Sequence, residues 1–119
     1  MDAAHNTEGA DALAAYLRSD VGPLPLVFAA MRDKDLESML RALLPAVAAV
    51  TVTRASNARS ADPDELGRLV HRLAPATPIA IEPSLPLALD AAWRMSPRIL
   101  VAGSIFLLGD VMHALGLHW

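Results

Sequence analysis

Leu24-Pro25-Leu26-Val27-Phe28-Ala29-Ala30 is an uncharged run of strand length, and the thirty residues it opens decide the fold. The run is short, apolar and partly β-branched, which reads as a buried strand. After the charged turn Arg32-Asp33-Lys34-Asp35, the residues Leu36, Met39, Leu40, Leu43 and Leu44 recur at i, i+3, i+4, i+7 and i+8. That spacing is one face of a helix over Leu36–Leu44, and Pro45, which has no backbone N–H to donate, ends it. A second strand-like segment, Ala48–Thr53, follows. Neither strand alternates apolar with polar residues, as expected of strands covered on both faces in a parallel sheet between helical layers.

The same grammar extends outward. Downstream, Asp62 can cap a helix, Pro63 suits its first turn, Glu65 completes a capping-box pattern, and Leu66, Leu69, Val70 and Leu73 form its apolar stripe. Pro78–Glu82 and Arg98–Ala102 read as strands, and Leu85–Met95 and Ser104–Leu115 as helices. Upstream, Glu8–Arg18 reads as a helix with Leu13, Tyr16 and Leu17 on one face. Alternation of strand and helix implies right-handed crossovers and an α/β fold: a Rossmann-like, open, mostly parallel sheet of about five strands with helices on both faces. Only Met1–Asn6 precede the first helix, so a first strand and everything upstream are expected to lie outside the chain, which forms a single domain over residues 1–119.

Composition narrows the function. At 54% hydrophobic and 19% charged residues the chain can build a core and is not a disordered segment. The net charge of −3 and the scattered arginines argue against a duplex nucleic-acid binder, which carries a clustered basic footprint. Leu24–Met31 and Ile99–Leu108 are too short to span a bilayer, and the amino terminus lacks the basic and apolar regions of a secretory signal. With no cysteine, the expected setting is the cytoplasm and the expected partner a small molecule or another domain.

In open α/β sheets ligands bind beyond the carboxyl ends of the strands. Four segments fall there. Asp2-Ala3-Ala4-His5-Asn6-Thr7 precedes a helix: a carboxylate can take both hydroxyls of a ribose, or Asn6 and Thr7 are caps and His5 a surface residue. In Arg32-Asp33-Lys34-Asp35, the sole lysine of the chain is either a cationic donor to a carboxylate or phosphate or part of a solvated cluster with Asp35 as the helix cap. The two arginines of Arg54-Ala55-Ser56-Asn57-Ala58-Arg59 either clamp an anion or solubilise a loop. Gly103-Ser104 permits close backbone approach and puts a hydroxyl at a helix start, as a plain cap would also do.

Absent motifs count too. There is no G-x-x-x-x-G-K-[ST] loop, no G-x-G-x-x-G, no G-x-S-x-G elbow and no metal-ligand spacing among His5, His71, His113 and His118. The chain therefore has no ready cradle for a triphosphate, no candidate catalytic residue and no metal site; His71 reads as a surface or boundary residue.

Taken together, the segments resemble one family. Asp2-Ala3-Ala4-His5-Asn6-Thr7 is similar to the D-G-A-H-N-P motif that opens the carboxyl-terminal domain in the Mur ligase superfamily. Phe28-Ala29-Ala30-Met31-Arg32-Asp33-Lys34-Asp35 resembles F-G-x-x-x-D-K-D, and Gly103-Ser104-Ile105-Phe106-Leu107-Leu108-Gly109-Asp110-Val111 resembles part of T-G-S-L-Y-L-V-G-E-V, both of the folylpolyglutamate synthase and dihydrofolate synthase enzymes. The likeness runs over nearly the whole chain and departs at Ala3, Thr7, Ala29 and Ala102, each a small residue that removes no charge.

What this resemblance implies is an ATP-dependent ligase of folate biosynthesis and one-carbon metabolism. Such enzymes phosphorylate a carboxylate of the pteroate or folate, and the glutamate amine attacks the acyl phosphate. An amino-terminal ATPase domain, absent here, would bring the phosphate loop and the Mg2+. By the same resemblance Asp2 would hold the ribose of ATP, His5 and Asn6 would lie by the nucleotide, Arg59 would belong to the nucleotide side, and Lys34 and Ser104 would bind glutamate carboxylates. The chain alone would then be inactive. The competing expectation is a free-standing Rossmann-like binding or interaction module in which the same residues are caps and turns.

Overall fold

The structure, a computed structural model, describes residues 2–4, 14–15, 23–32, 35–56, 58–103 and 110–112. Its elements are β1 (Asp2–Ala4), β2 (Leu24–Phe28), α1 (Leu36–Leu43), a 3-10 turn (Leu44–Ala46), β3 (Val47–Val52), α2 (Pro63–Leu73), β4 (Ile79–Ile81), α3 (Leu85–Met95) and β5 (Leu100–Ala102). Ala14 and Ala15, and Asp110 to Met112, are also helical. Five strands lie in the order β1-β5-β2-β3-β4, and every neighbouring pair is parallel. The α/β reading holds, with one correction: the first strand is not wholly outside the chain. Asp2 pairs with Leu100 and Ala4 with Ala102, an assignment that three residues of such composition do not reveal until β5 is beside them.

Alternate residues of each strand go to opposite faces. Leu26, Phe28, Val50, Val52, Leu100 and Ala102 pack against Met39, Leu40 and Leu43 of α1, Leu66 and Val70 of α2, and Ala14. Val27, Ile99 and Val101 pack on the other face against Ala88, Leu89 and Ala92 of α3, and Val111. Both faces are covered over β2 and β5, which is why those strands carry no polar alternation, whereas the edge strand β4, expected to be buried, leaves Ala80 and Ile81 exposed because no further strand or helix covers that edge among the described residues. Chain direction and face go together. Steps from β1 to β2, β2 to β3 and β3 to β4 run one way along the sheet over the first face, and the return from β4 to β5 crosses the second, so all four crossovers share one hand.

Local chemistry sets the boundaries. Asp35 caps α1, its carboxylate accepting from the Ser38 N–H at 3.2 Å, and hydrogen bonds from the Ser38 side chain and from that N–H hold its carboxyl below the usual carboxylate range. Glu37 accepts from Arg72 of α2 and Arg41 of its own helix, at 2.9 and 3.0 Å, which lowers its carboxyl likewise; half-exposed, the pairs pin two helices more than they stabilise them. Leu44, expected to be helical, passes into the 3-10 turn because Pro45 interrupts the ladder. Asp62 makes no side-chain cap, a second correction. Its carboxylate turns back to Arg54 at 3.6 Å, and its carbonyl alone engages α2 by accepting from the Leu66 N–H at 3.0 Å.

Thr53 follows β3, is fully buried, and its hydroxyl has no hydrogen-bond partner among the described residues. An unmet buried hydroxyl carries its desolvation cost uncompensated. Thr53→Val, nearly isosteric, is therefore expected to raise stability by about 1 kcal/mol, measured by urea denaturation; a loss of similar size would mean that the hydroxyl has a partner.

Candidate functional site

β5 and β2 are neighbours, yet the chain leaves them toward opposite faces: β2 feeds α1 on the first, and β5 feeds the helical residues around Val111 on the second. This is the topological switch point, where the two connections diverge and leave a crevice at the carboxyl ends of the strands. The crevice floor is tightly built. Ala29 N–H donates to the Ala102 carbonyl at 3.3 Å, extending the β2–β5 ladder by one bond. Gly103 then adopts φ +121°, a region closed to side-chain-bearing residues, and a side chain added there would run into the Ala29 carbonyl and the Phe28 ring.

β2 was expected to continue to Ala30 but stops at Phe28 because Ala29 to Arg32 turn to the loop after β3. Ala61 N–H donates to the Ala30 carbonyl at 2.7 Å, Met31 bridges Ser60 in antiparallel sense, and Arg32 N–H donates to the Arg59 carbonyl at 2.9 Å. The Arg32 guanidinium reaches the Ala58 carbonyl at 3.4 Å, and the buried Ser60 hydroxyl accepts from the Ala55 N–H at 3.1 Å. On its other flank the loop meets the segment after β5. Asp110 takes both donors of Ser56, the N–H at 2.7 Å and the hydroxyl at 2.6 Å. Sequence spacing gave no sign of this pair, whose members follow two different strands, β3 and β5.

Of the residues singled out from sequence, Arg59 lies exposed in the loop beyond β3, at the carboxyl edge. Arg54 of the same loop lies 3.6 Å from the Asp62 carboxylate, both side chains half-exposed. Asp2 is the first residue of β1, in the sheet rather than in a loop beyond it. His5, Asn6, Lys34 and Ser104 lie outside the described residues; Asp33-Lys34 stands between Arg32 and the capping Asp35, and Ser104 follows Gly103 directly. His71 is exposed on α2, as expected. Among the described residues no group of three His, Cys, Asp or Glu could hold a metal ion, and no helix is long and apolar enough to cross a membrane. Two open clefts lie elsewhere, one of about 370 Å³ lined by Arg41, Leu44, Pro45, Leu73, Ala74 and Thr77 at the amino edge of the sheet, the other between α2 and β4. Neither collects the loops that the switch point collects.

Known proteins match this arrangement. The model of the family described as dihydrofolate synthetase, C-terminal domain, matches residues 1–114. A Haloferax volcanii protein named probable bifunctional folylpolyglutamate synthase/dihydropteroate synthase is 36% identical over 115 residues, which is 92% of this chain and 13% of that protein. The Mycobacterium tuberculosis folylpolyglutamate synthase, solved in complex with ADP and AMPPCP, superposes with a TM-score of 0.86 at 29% identity, over 99% of this chain and 29% of its own. That of Thermotoga maritima superposes with a TM-score of 0.77 at 30% identity, over 97% of this chain and 27% of its own. The chain thus spans under a third of these two enzymes and about an eighth of the Haloferax protein.

Proposed function

Because the chain belongs to the family of dihydrofolate synthetase carboxyl-terminal domains, we propose that it serves as the glutamate-ligase half of an ATP-dependent enzyme. That enzyme joins glutamate to dihydropteroate or tetrahydrofolate through an acyl phosphate. The observation that carries this reading is the convergence, at one switch point, of the loops after β2, β3 and β5, two of which, those after β2 and β5, bear motifs of the family. Such a crevice gives one wall of a cleft. The other wall, with the phosphate loop and Mg2+, belongs to an amino-terminal ATPase half, since the sequence has no phosphate loop and the described residues offer no metal cluster.

On this reading ATP supplies the phosphoryl group that activates the folate carboxylate, and the chain's own residues position the reactants. Asp2 binds the ribose, with His5, Asn6 and Arg59 on the nucleotide side. Lys34 and Ser104 take the carboxylates of glutamate, an ammonium and a hydroxyl beside helix N–H groups being suited to anions that must be partly desolvated. The ADP and AMPPCP complexes of the mycobacterial relative support nucleotide binding by the parent enzyme.

The purified chain is expected to show no ligase activity and negligible ATP hydrolysis, because positioning and charge neutralisation of the phosphates require groups it does not carry. ADP release from pure chain, measured with and without glutamate, checks this; sustained turnover would overturn the half-site reading.

A further inference from the structure

Asp110 makes an unusual demand on its partner loop. Ser56 presents two donors, its N–H and its hydroxyl, and Asp110 meets them with separate oxygens at 2.7 and 2.6 Å. Only a carboxylate offers two acceptors in this geometry; an amide keeps one and turns a donor toward the other. The bond joins the loop after β3 to the segment after β5, which the sheet places on either side of β2. The loop's other flank is tied to Ala30, Met31 and Arg32 through Ala61, Ser60 and Arg59. The Ser56–Asp110 pair therefore closes a belt over the carboxyl end of β2, linking all three connections that border the crevice.

We propose that Asp110 is a positioning residue of this site: by holding Ser56 with both carboxylate oxygens, it fixes the Arg59 loop relative to the Gly103 turn, so that ligand groups on the two sides of β2 are held in one geometry. This rests on the ligase reading. Asp110 touches no reactant; it acts through Ser56. With the belt open the fold remains, since Val111 and the strand core do not depend on the bond, but the loop after β3 samples positions no longer fixed to the segment after β5.

The test uses two preparations. In the 119-residue chain, Asp110→Asn and Ser56→Ala should speed amide hydrogen exchange at Ala55–Ser60 about tenfold, the equilibrium equivalent of one charged hydrogen bond lost. Exchange in β2 and β3 should stay unchanged, and Ser56→Thr, which keeps both donors, should behave as wild type. In the two-domain ligase the same substitutions should raise the KM of ATP or of glutamate about tenfold while kcat stays within about twofold, as expected when ground-state and transition-state binding are lost together. Unchanged loop exchange, or faster exchange with unaltered KM values in an active enzyme, overturns the positioning role and leaves the ligase reading standing. An inactive two-domain wild-type protein overturns both. A general rise in exchange across the core would make the pair a structural staple and would likewise overturn the proposal.

Discussion

Gly103→Ala is expected to destabilise the chain by about 3 kcal/mol or more, combining the cost of a forbidden backbone region with a backbone clash. At φ +121° an alanine is strained whatever space surrounds it, and here there is none: its methyl group would fall on the Ala29 carbonyl oxygen, and within 3.0 Å of the Phe28 ring. Ala29 cannot move aside cheaply, because its N–H extends the β2–β5 ladder and the residue is fully buried. Urea denaturation of wild type and mutant gives the difference. A change below about 1 kcal/mol would mean that the turn can flip to a conformation open to any residue. The damage should concentrate at the crevice, since the glycine sits where β5 and β2 diverge.

The second large effect is expected at Lys34. In the two-domain ligase proposed above, Lys34→Ala should weaken glutamate binding by about 1.5–3 kcal/mol, the worth of a hydrogen bond to a charged group. Ser104→Ala should cost less, about 0.5–1.5 kcal/mol for a neutral donor. Neither should much change the apparent affinity for ATP, whereas Asp2→Ala should do so through the ribose. Steady-state kinetics with each substrate varied in turn separates the patterns. Should Lys34→Ala leave the glutamate dependence untouched and raise the ATP requirement, the loop after β2 would belong to the nucleotide.

Wherever burial alone decides structure, the sequence was a sufficient guide. Helix α3 runs over the Leu85–Met95 predicted, and α1 falls one residue short of its predicted end. Their apolar stripes report directly which face meets the sheet. Polar residues were harder to place because their partners are not local. Asp62 has the right type and position for a cap, yet Arg54 competes for its carboxylate and wins. Arg54, in turn, has in Asp62 a neighbour that no sequence spacing reveals. Ser56 and Asp110 show the same difficulty at greater separation, since no periodicity links a loop after β3 to a helix after β5. Asp2-Ala3-Ala4 lacks the bulky β-branched residues that mark a strand and becomes one only by pairing with β5.

That last pairing bears on how the molecule is made. Of these five strands β1 leaves the ribosome before the others and β5 after them, and the sheet sets the two side by side. β2, β3 and β4 can assemble with α1 and α2 as soon as they emerge, but β2 keeps an open edge until β5 inserts beside it. Loops of such length close slowly, and an unpaired apolar strand edge invites association with other chains in the meantime. The nascent domain thus passes through a stage in which most of its core is formed while Leu26, Val27 and Phe28 still lack their neighbour. A ribosome stalled just before Leu100 would hold a chain with no crevice at all, prone to aggregate through the edge that the finished protein uses as its centre.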